Sequence, residues 1–497
     1  MPFRLARAGS EHVLVLRDAD HQIVLVEALG VLGRPVGIEV GRVDHAVAGR
    51  RVANDECQVS RRSAIRRAVA DFALLMNKSP FRRICEVADI DPKTLYGKID
   101  FLHRQCRAFA AGRERRMLED MSLRRLYLAT DRQDDLFNWR RRDDRRNVAL
   151  QAVGTADNAT GYVFGLHLNC DPALDAHAIE KAAVAAGDCQ LRPPFRRYAR
   201  CWLKADYAAR VALPHSQSRP TKADLQGAIA ATHAEAGRRE DVEVTETPDA
   251  SRRRLTQGVQ IHAEYTLYGH FFLLRRLFGG IEHLRFCLNQ DSGMRAACLT
   301  AFQPEIKART ADAFYVRIVK DWSVNQKRSE LAASRARFEA AKPAHPGLSD
   351  GELQLLLIGT AIAQMAPLGK WHDRWLTHPL PDMSEPQKAV CYLTDCGDYD
   401  ADHLARLYQK ASLRAIDRFF VQVRRRLSVL ERPISTASKG GRKWYGYSAC
   451  SPDTIVRMLD ILRVFYNYCA TGKDGKTSAM RLGLAKGVVA LEDIIYF

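Results

Sequence analysis

Three aspartates stand where a carboxylate could do more than solvate a surface. Asp417 opens "DRFFVQVRRR", so that Phe419 and Phe420 follow it and Arg424, Arg425 and Arg426 close the stretch. Asp131 follows the run "LYLAT", and Asp291 follows "HLRFCLNQ". An aspartate just past a strand is often only a turn residue or a helix cap, so neither says much alone. Three carboxylates brought from separate elements to one point repel one another unless a cation sits among them. Mg2+ and Mn2+ take oxygen ligands and leave room for phosphate oxygens. Two such ions would activate an attacking oxygen and stabilise the leaving one in an in-line phosphoryl displacement.

Glu385, in "PLPDMSEPQKAVCYL", is a rival third acid: it also reads as the start of a helix, with Lys388 one turn on, but no aromatic pair follows it. Asp134, Asp135, Asp157 and Asp321 are nearby alternatives whose default reading is a solvated or turn carboxylate.

The hydrophobic pattern gives the elements that must position these acids. "RRLYLATD" reads as a short strand ending on Asp131, and "NVALQAVGTADNATGYVFGLHLN" as two strands joined by a loop rich in Asp, Asn and Gly. "AEYTLYGHFFLLRRLFGG" reads as a helix stopped by glycines. "HLRFCLNQD" is a strand ending on Asp291, and "DAFYVRIVKDW" is a fifth strand. Strand, hairpin, helix, strand, strand, insertion, helix is the order of an RNase H-like domain. That order sets the first and fourth strands side by side and parallel, which makes neighbours of Asp131 and Asp291. The last helix would carry Asp417 to the same edge.

These motifs resemble the DDE-type transposases of bacterial insertion sequences, relatives of the retroviral integrases. "LYLATDRQ" is similar to their first catalytic strand and "FCLNQDSG" to their second. Asp417, its two phenylalanines and Arg424 seven positions on, on the same helical face, are similar to their third acid and the basic residue two turns later. "FYNYCATGKDGKTSAMRLGL" resembles their closing segment. The resemblance implies catalytic, metal-ligating roles for Asp131, Asp291 and Asp417, with two Mg2+ or Mn2+ ions, and a contact between Arg424 and a DNA end. It further implies strand cleavage by water, attack of the freed 3′-hydroxyl on target DNA, and a homodimer or larger assembly on double-stranded DNA. Two departures stand out. The family's third acid is usually Glu, one methylene longer than Asp417, and the long separation of Asp291 from Asp417 requires an insertion.

The chain has 497 residues, 46% of them hydrophobic, which leaves room for several cores. The expected architecture is α/β and multidomain. Residues 1–55 form a small region of short strands without visible chemistry, and 56–120 a helical DNA-binding region. Residues 121–322 form the first part of an RNase H-like mixed-sheet core, 323–411 a mainly helical insertion and 412–432 the helix of the third acid. Residues 433–497 form a basic-aromatic segment and a final helix. Within the second region, "FRRICEVADIDPKTLYGKIDFL" has the cadence of a helix-turn-helix. Ile84, Val87 and Ala88 would face inward, Asp89 and Asp91 would make the turn, and Pro92 would open a second helix burying Leu95, Ile99 and Leu102. Lys93, Thr94, Tyr96 and Lys98 would then face DNA.

A formal net charge of +18 points to a polyanionic partner, with nucleic acid foremost. Arg140 and Arg141 in "NWRRRDDRR", and Arg442 and Lys443 in "GGRKWYGYS", are further candidates for phosphate contact. None of the twelve cysteines lies in a C-x-x-C pair, which argues against a zinc ribbon or finger. With no secretory pattern and no apolar run of bilayer length, the expectation is a cytoplasmic, nucleoid-associated bacterial protein with reduced thiols. The leading expectation for function is a DNA transposase. A non-catalytic DNA-binding regulator derived from one, or an RNase H-like nuclease that does not transpose, are the alternatives.

Overall fold

Among the described residues, an eight-stranded mixed sheet organises the chain, in the spatial order Val163–Leu168, Val148–Asp157, Arg125–Phe137, His283–Asn289, Ala311–Ile318, Lys388–Tyr392, Asp373–Thr377, Pro367–Leu368. The structure, a computed structural model, describes residues 68–120, 123–137, 148–192, 195–212, 225–238, 255, 258–319, 322–431, 434–435, 443–444 and 451–497. The region 1–55, Arg140, Arg141, Asp321 and Arg442 lie outside the described residues, and Lys443 is described only as backbone.

Among the described residues, three helices precede the sheet: α1 (68–76), α2 (Phe81–Ala88) and α3 (Pro92–Asp120). The helix-turn-helix cadence holds as a pair of elements. Asp89 takes the left-handed conformation (φ 51°) that ends α2, and Ile84, Leu95, Ile99 and Leu102 are buried. Val87 does not face inward but is 72% exposed. It lies three positions from Ile84, but so short a helix buries only one narrow strip. The loop ahead of α2 is bonded to the end of a distant helix: Lys78 N donates to the Arg426 carbonyl at 2.8 Å, and Arg426 Nη1 to the Met76 carbonyl at 3.2 Å. Lys78 also pairs with Glu431 at 2.6 Å.

β1 (Arg125–Phe137), β2 (Val148–Asp157) and β3 (Val163–Leu168) form an antiparallel meander. β1 does not end on Asp131. It runs six residues further, paired to β2 as far as Phe137–Val148. The alternation persists there, with Gln133 and Asp135 buried and Asp134 exposed, but the buried positions are polar, which hides the strand from a hydrophobicity pattern. Next come the short β4 (Cys170–Asp171), α4 (Ala176–Ala185), α5 (Lys204–Ala212), α6 (Leu225–Arg238) and β5 (Val259–Gln260), which pairs with β4.

α7 (Ala263–Leu277) returns over the sheet, and β6 (His283–Asn289) enters it parallel to β1. β6 is a nearly continuous buried run, as a strand covered on both faces must be. α8 (Ser292–Ala301), α9 (Gln303–Lys307) and β7 (Ala311–Ile318) follow, with β7 parallel to β6.

The segment 323–411 is not simply helical. After α10 (Val324–Ala341) and α11 (Asp350–Ala363), the strands β8 (Pro367–Leu368), β9 (Asp373–Thr377) and β10 (Lys388–Tyr392) extend the main sheet, β10 antiparallel to β7, β9 to β10 and β8 to β9. These strands are two to five residues long, too short to register a period of two. α12 (Ala401–Lys410), α13 (Arg414–Arg426) and α14 (Pro452–Tyr468) complete the body. α13 buries Ile416, Phe419, Phe420 and Val423, an i, i+3, i+4, i+7 stripe. Among the described residues, no helix is long and apolar enough to cross a membrane.

Candidate active site

The pairing of β1 with β6 ends at Thr130 and Leu288, so Asp131 and Asn289 stand side by side at the next position. Asn289 Nδ2 donates to Asp131 Oδ1 at 2.7 Å, and the same oxygen accepts from Arg132 N at 2.8 Å. Two residues beyond Asn289, Asp291 caps α8: its Oδ1 accepts from the backbone N–H groups of Gly293 (2.8 Å) and Met294 (3.1 Å). Its Oδ2 pairs with Arg132 Nη2 at 2.5 Å. Tyr315 on β7 fixes the turn by donating to the Asp291 carbonyl at 2.7 Å. The two carboxylates therefore lie at the ends of adjacent parallel pairings, both buried.

α13 reaches the face of the sheet that carries Asp131. Gly154 pairs directly with Asp131, and directly paired residues share a face. A Cβ built on Gly154 would meet Ile416 Cδ1 at 2.9 Å and Phe420 Cζ at 3.5 Å. Asp417, adjacent to Ile416 and partly exposed, thus belongs to the turn of α13 that lies over the Asp131–Gly154 pair. Further along, Arg424 Nη1 donates to Gln133 Oε1, and Gln133 Nε2 donates to Asp135 Oδ1 at 2.6 Å. Asp135 is not the solvated carboxylate that sequence context suggests. Burial raises its carboxyl to about 7, opposed by the Gln133 hydrogen bond and the Arg424 charge.

The opposite face is closed by α7. Thr130 and Thr155 share a hydrogen bond of 2.7 Å, Thr155 continues to His270 Nε2 at 2.7 Å, and His270 Nδ1 meets His167 Nδ1 at 2.8 Å. Burial pushes His167 down to about 4 and His270 below its usual range, so both rings are neutral near pH 7. One ring donates and the other accepts.

The donor types suit Mg2+ or Mn2+, which take carboxylate oxygens. The arrangement is less complete. Both Asp291 oxygens are engaged, one by α8 and one by Arg132. Among the described residues, no three His, Cys, Asp or Glu side chains gather as a metal-holding group.

Glu385 does not begin a helix; it precedes β10 in a turn. Its Oε1 accepts from Ser412 Oγ (2.6 Å) and Leu413 N (3.0 Å), and its Oε2 lies 3.1 Å from Lys388 Nζ, which also bonds the Ala411 carbonyl at 2.9 Å. The carboxylate ties β10 to the entrance of α13. Asp157 is a turn carboxylate, accepting from Thr160 N and Oγ1 and from Tyr127 N. Asp134 is exposed and accepts from Gln151 at 3.0 Å.

Of the residues expected to face DNA, Lys93 and Thr94 are exposed, although Thr94 bonds back to Asp91 through N and Oγ1. Tyr96 is 47% exposed, with Phe81 edge-on to its ring. Lys98 instead turns back: its ammonium lies 2.5 Å from the carboxylate of Asp71, a buried residue on α1. Sequence reasoning missed Arg132, Gln133, Asn289 and the role of Asn467. Asn467 bonds both N–H and C=O of Val163 at 2.9 Å, completing the pairing of edge strand β3 as another strand would.

Compared with known proteins, the chain matches no family model, no curated protein and no solved structure.

Proposed function

We propose that the chain is a DNA transposase with an RNase H-like core, cutting and joining strands at element ends by metal-dependent phosphoryl transfer. The observation that carries this reading is the parallel pairing of β1 with β6, which makes neighbours of Asp131 and the segment ending in Asp291. The strand order 3-2-1 followed by two parallel strands supports it, as does the seating of α13 over Gly154. Asp131, Asp291 and Asp417 would hold Mg2+ or Mn2+, which when bound supplies Lewis-acid activation of the attacking and leaving oxygens. The chain's own residues orient and neutralise. Asn289 fixes the Asp131 carboxylate, α8 fixes that of Asp291, and Arg424 offers its charge to the DNA end. Lys93, Thr94 and Tyr96 would read the terminal sequence, and two copies of the chain would bring two ends together.

The test is Mg2+-dependent nicking of an end-bearing duplex by the wild-type chain, lost in Asp131→Asn, followed by strand-transfer products on a target plasmid. Nicking without transfer would leave a nuclease. The Arg132–Asp291 ion pair favours a second reading, a DNA-binding regulator derived from such an enzyme, in which an arginine has replaced the cation. Sequence-specific binding without nicking under any divalent ion would select it.

A further inference from the structure

We infer that Gln133 and Asp135 are positioning residues for Arg424, holding its guanidinium over the Asp131 face of β1. The inference rests on the proposed contact of Arg424 with DNA phosphate. Asp131, Gln133 and Asp135 alternate along β1 and therefore project to one face, the face covered by α13. The Gln133 amide is held at both ends, its Nε2 by Asp135 Oδ1 at 2.6 Å and its Oε1 by Arg424 Nη1. Chemistry dictates this orientation. The guanidinium of Arg424 has donors only and so must meet the Gln133 carbonyl, which leaves the NH2 end for a carboxyl oxygen of Asp135. Without Asp135 the amide can turn its NH2 towards Arg424, where donor would meet donor.

The burial of these groups argues that the arrangement is not there for stability. Gln133 is 8% exposed and Asp135 4%, yet Asp135 Oδ2 has no hydrogen-bond partner among the described residues. A buried polar atom left unpaired costs about 1–3 kcal/mol, which an apolar residue at this position would avoid. Arg424 lies seven positions after Asp417, two turns along the same helical face, so fixing it fixes the far end of the strip that runs from the acids.

The experiment uses the full chain and a short DNA duplex, with binding measured across a salt series and melting measured without DNA. Arg424→Ala should lower the slope of log affinity against log salt by about 0.9, the value for one phosphate contact. Gln133→Ala should lower it equally, and the double variant should lower it no further. Asp135→Ala should act in the same direction, whereas Asp135→Asn, which keeps an acceptor for Gln133, should retain the wild-type slope. In the melting series, Gln133→Ala and Arg424→Ala should be non-additive, as contacting residues are. A wild-type slope in Gln133→Ala beside a lowered one in Arg424→Ala, or additive melting shifts, overturns the inference. A wild-type chain that does not bind DNA overturns the functional reading instead, and the melting cycle then decides whether the side chains act as a unit.

Discussion

Gly154 stands directly opposite Asp131 in the β1–β2 pair, and the space left by its missing side chain is taken by Ile416 of α13. The absence of a Cβ at Gly154 on β2 thereby sets how closely α13, which carries Asp417, approaches β1, which carries Asp131. Gly154→Val would force branched carbons against Ile416 Cδ1 (2.9 Å) and Leu166 Cδ1 (3.2 Å). Overpacking of this kind costs about 1–3 kcal/mol. Urea unfolding should show that loss, and nicking should fall further than duplex binding because α13 is lifted from β1. Equal loss of both would mean that the approach of α13 is irrelevant to the chemistry.

Asp131→Asn, Asp291→Asn and Asp417→Ala should each reduce metal-dependent nicking by more than the roughly 10–100-fold typical of residues that only support a ligand. Affinity for duplex should stay within a few-fold of wild type. Nicking assays with Mg2+ and Mn2+, paired with gel-shift titrations, measure both. Substantial cutting by Asp417→Ala would remove it from the set.

Glu385 and Lys388 are both buried and paired at 3.1 Å. Removing one member of such a pair leaves an uncompensated charge and costs about 3–5 kcal/mol. Glu385→Ala should therefore melt well below wild type. Glu385→Gln keeps an acceptor for Ser412 and Leu413 and should retain metal-dependent nicking at permissive temperature. A stable but inactive Glu385→Gln would make Glu385 the third acid.

Asp135 gives a pH signature. Burial raises its folded-state value from about 3.8 to about 7, so the folded chain holds a proton that the unfolded chain releases. Its contribution to stability is complete below about pH 4 and is lost as pH rises towards 7. Asp135→Asn cannot ionise, so its urea midpoint relative to wild type should be higher at pH 8 than at pH 5. A difference that does not change with pH would show that Asp135 ionises normally.

Lys93 and Lys98 separate surface from structure within one helix. Lys93→Ala should lower the salt slope of duplex binding by about 0.9 with little change in melting. Lys98→Ala should do the reverse, because it strips the partner from a buried Asp71. Similar salt slopes in the two variants would refute this division.

The fold was legible where its signals are local and apolar. The β2–β3 hairpin, the buried run of β6 and the stripe of α13 all follow from spacing alone, whereas the adjacency of Asp131 and Asp291 follows only from likening the order of elements to that of an RNase H-like domain. The far half of β1 was illegible because its inward residues, Gln133 and Asp135, are polar, and a strand whose buried side is hydrophilic has no hydrophobic alternation to detect. β8, β9 and β10 were missed because two to five residues cannot establish a period, and Glu385 was misread as a helix start because an acidic residue after Ser and before Pro resembles a first turn. At the site, the acids could be named from their context. Arg132, Gln133 and Asn289 could not, since their roles come from side chains meeting across strands, which no single stretch of sequence encodes.

The loop ahead of α2 is stitched to the last turn of α13 through Lys78, Met76 and Arg426. On the proposed reading, the part that reads the DNA and the part that cuts it then form two jaws of one caliper. The interval between the recognised bases and the broken bond would be a fixed number of base pairs, dictated by the protein's own dimensions and unaltered when the intervening DNA sequence is changed.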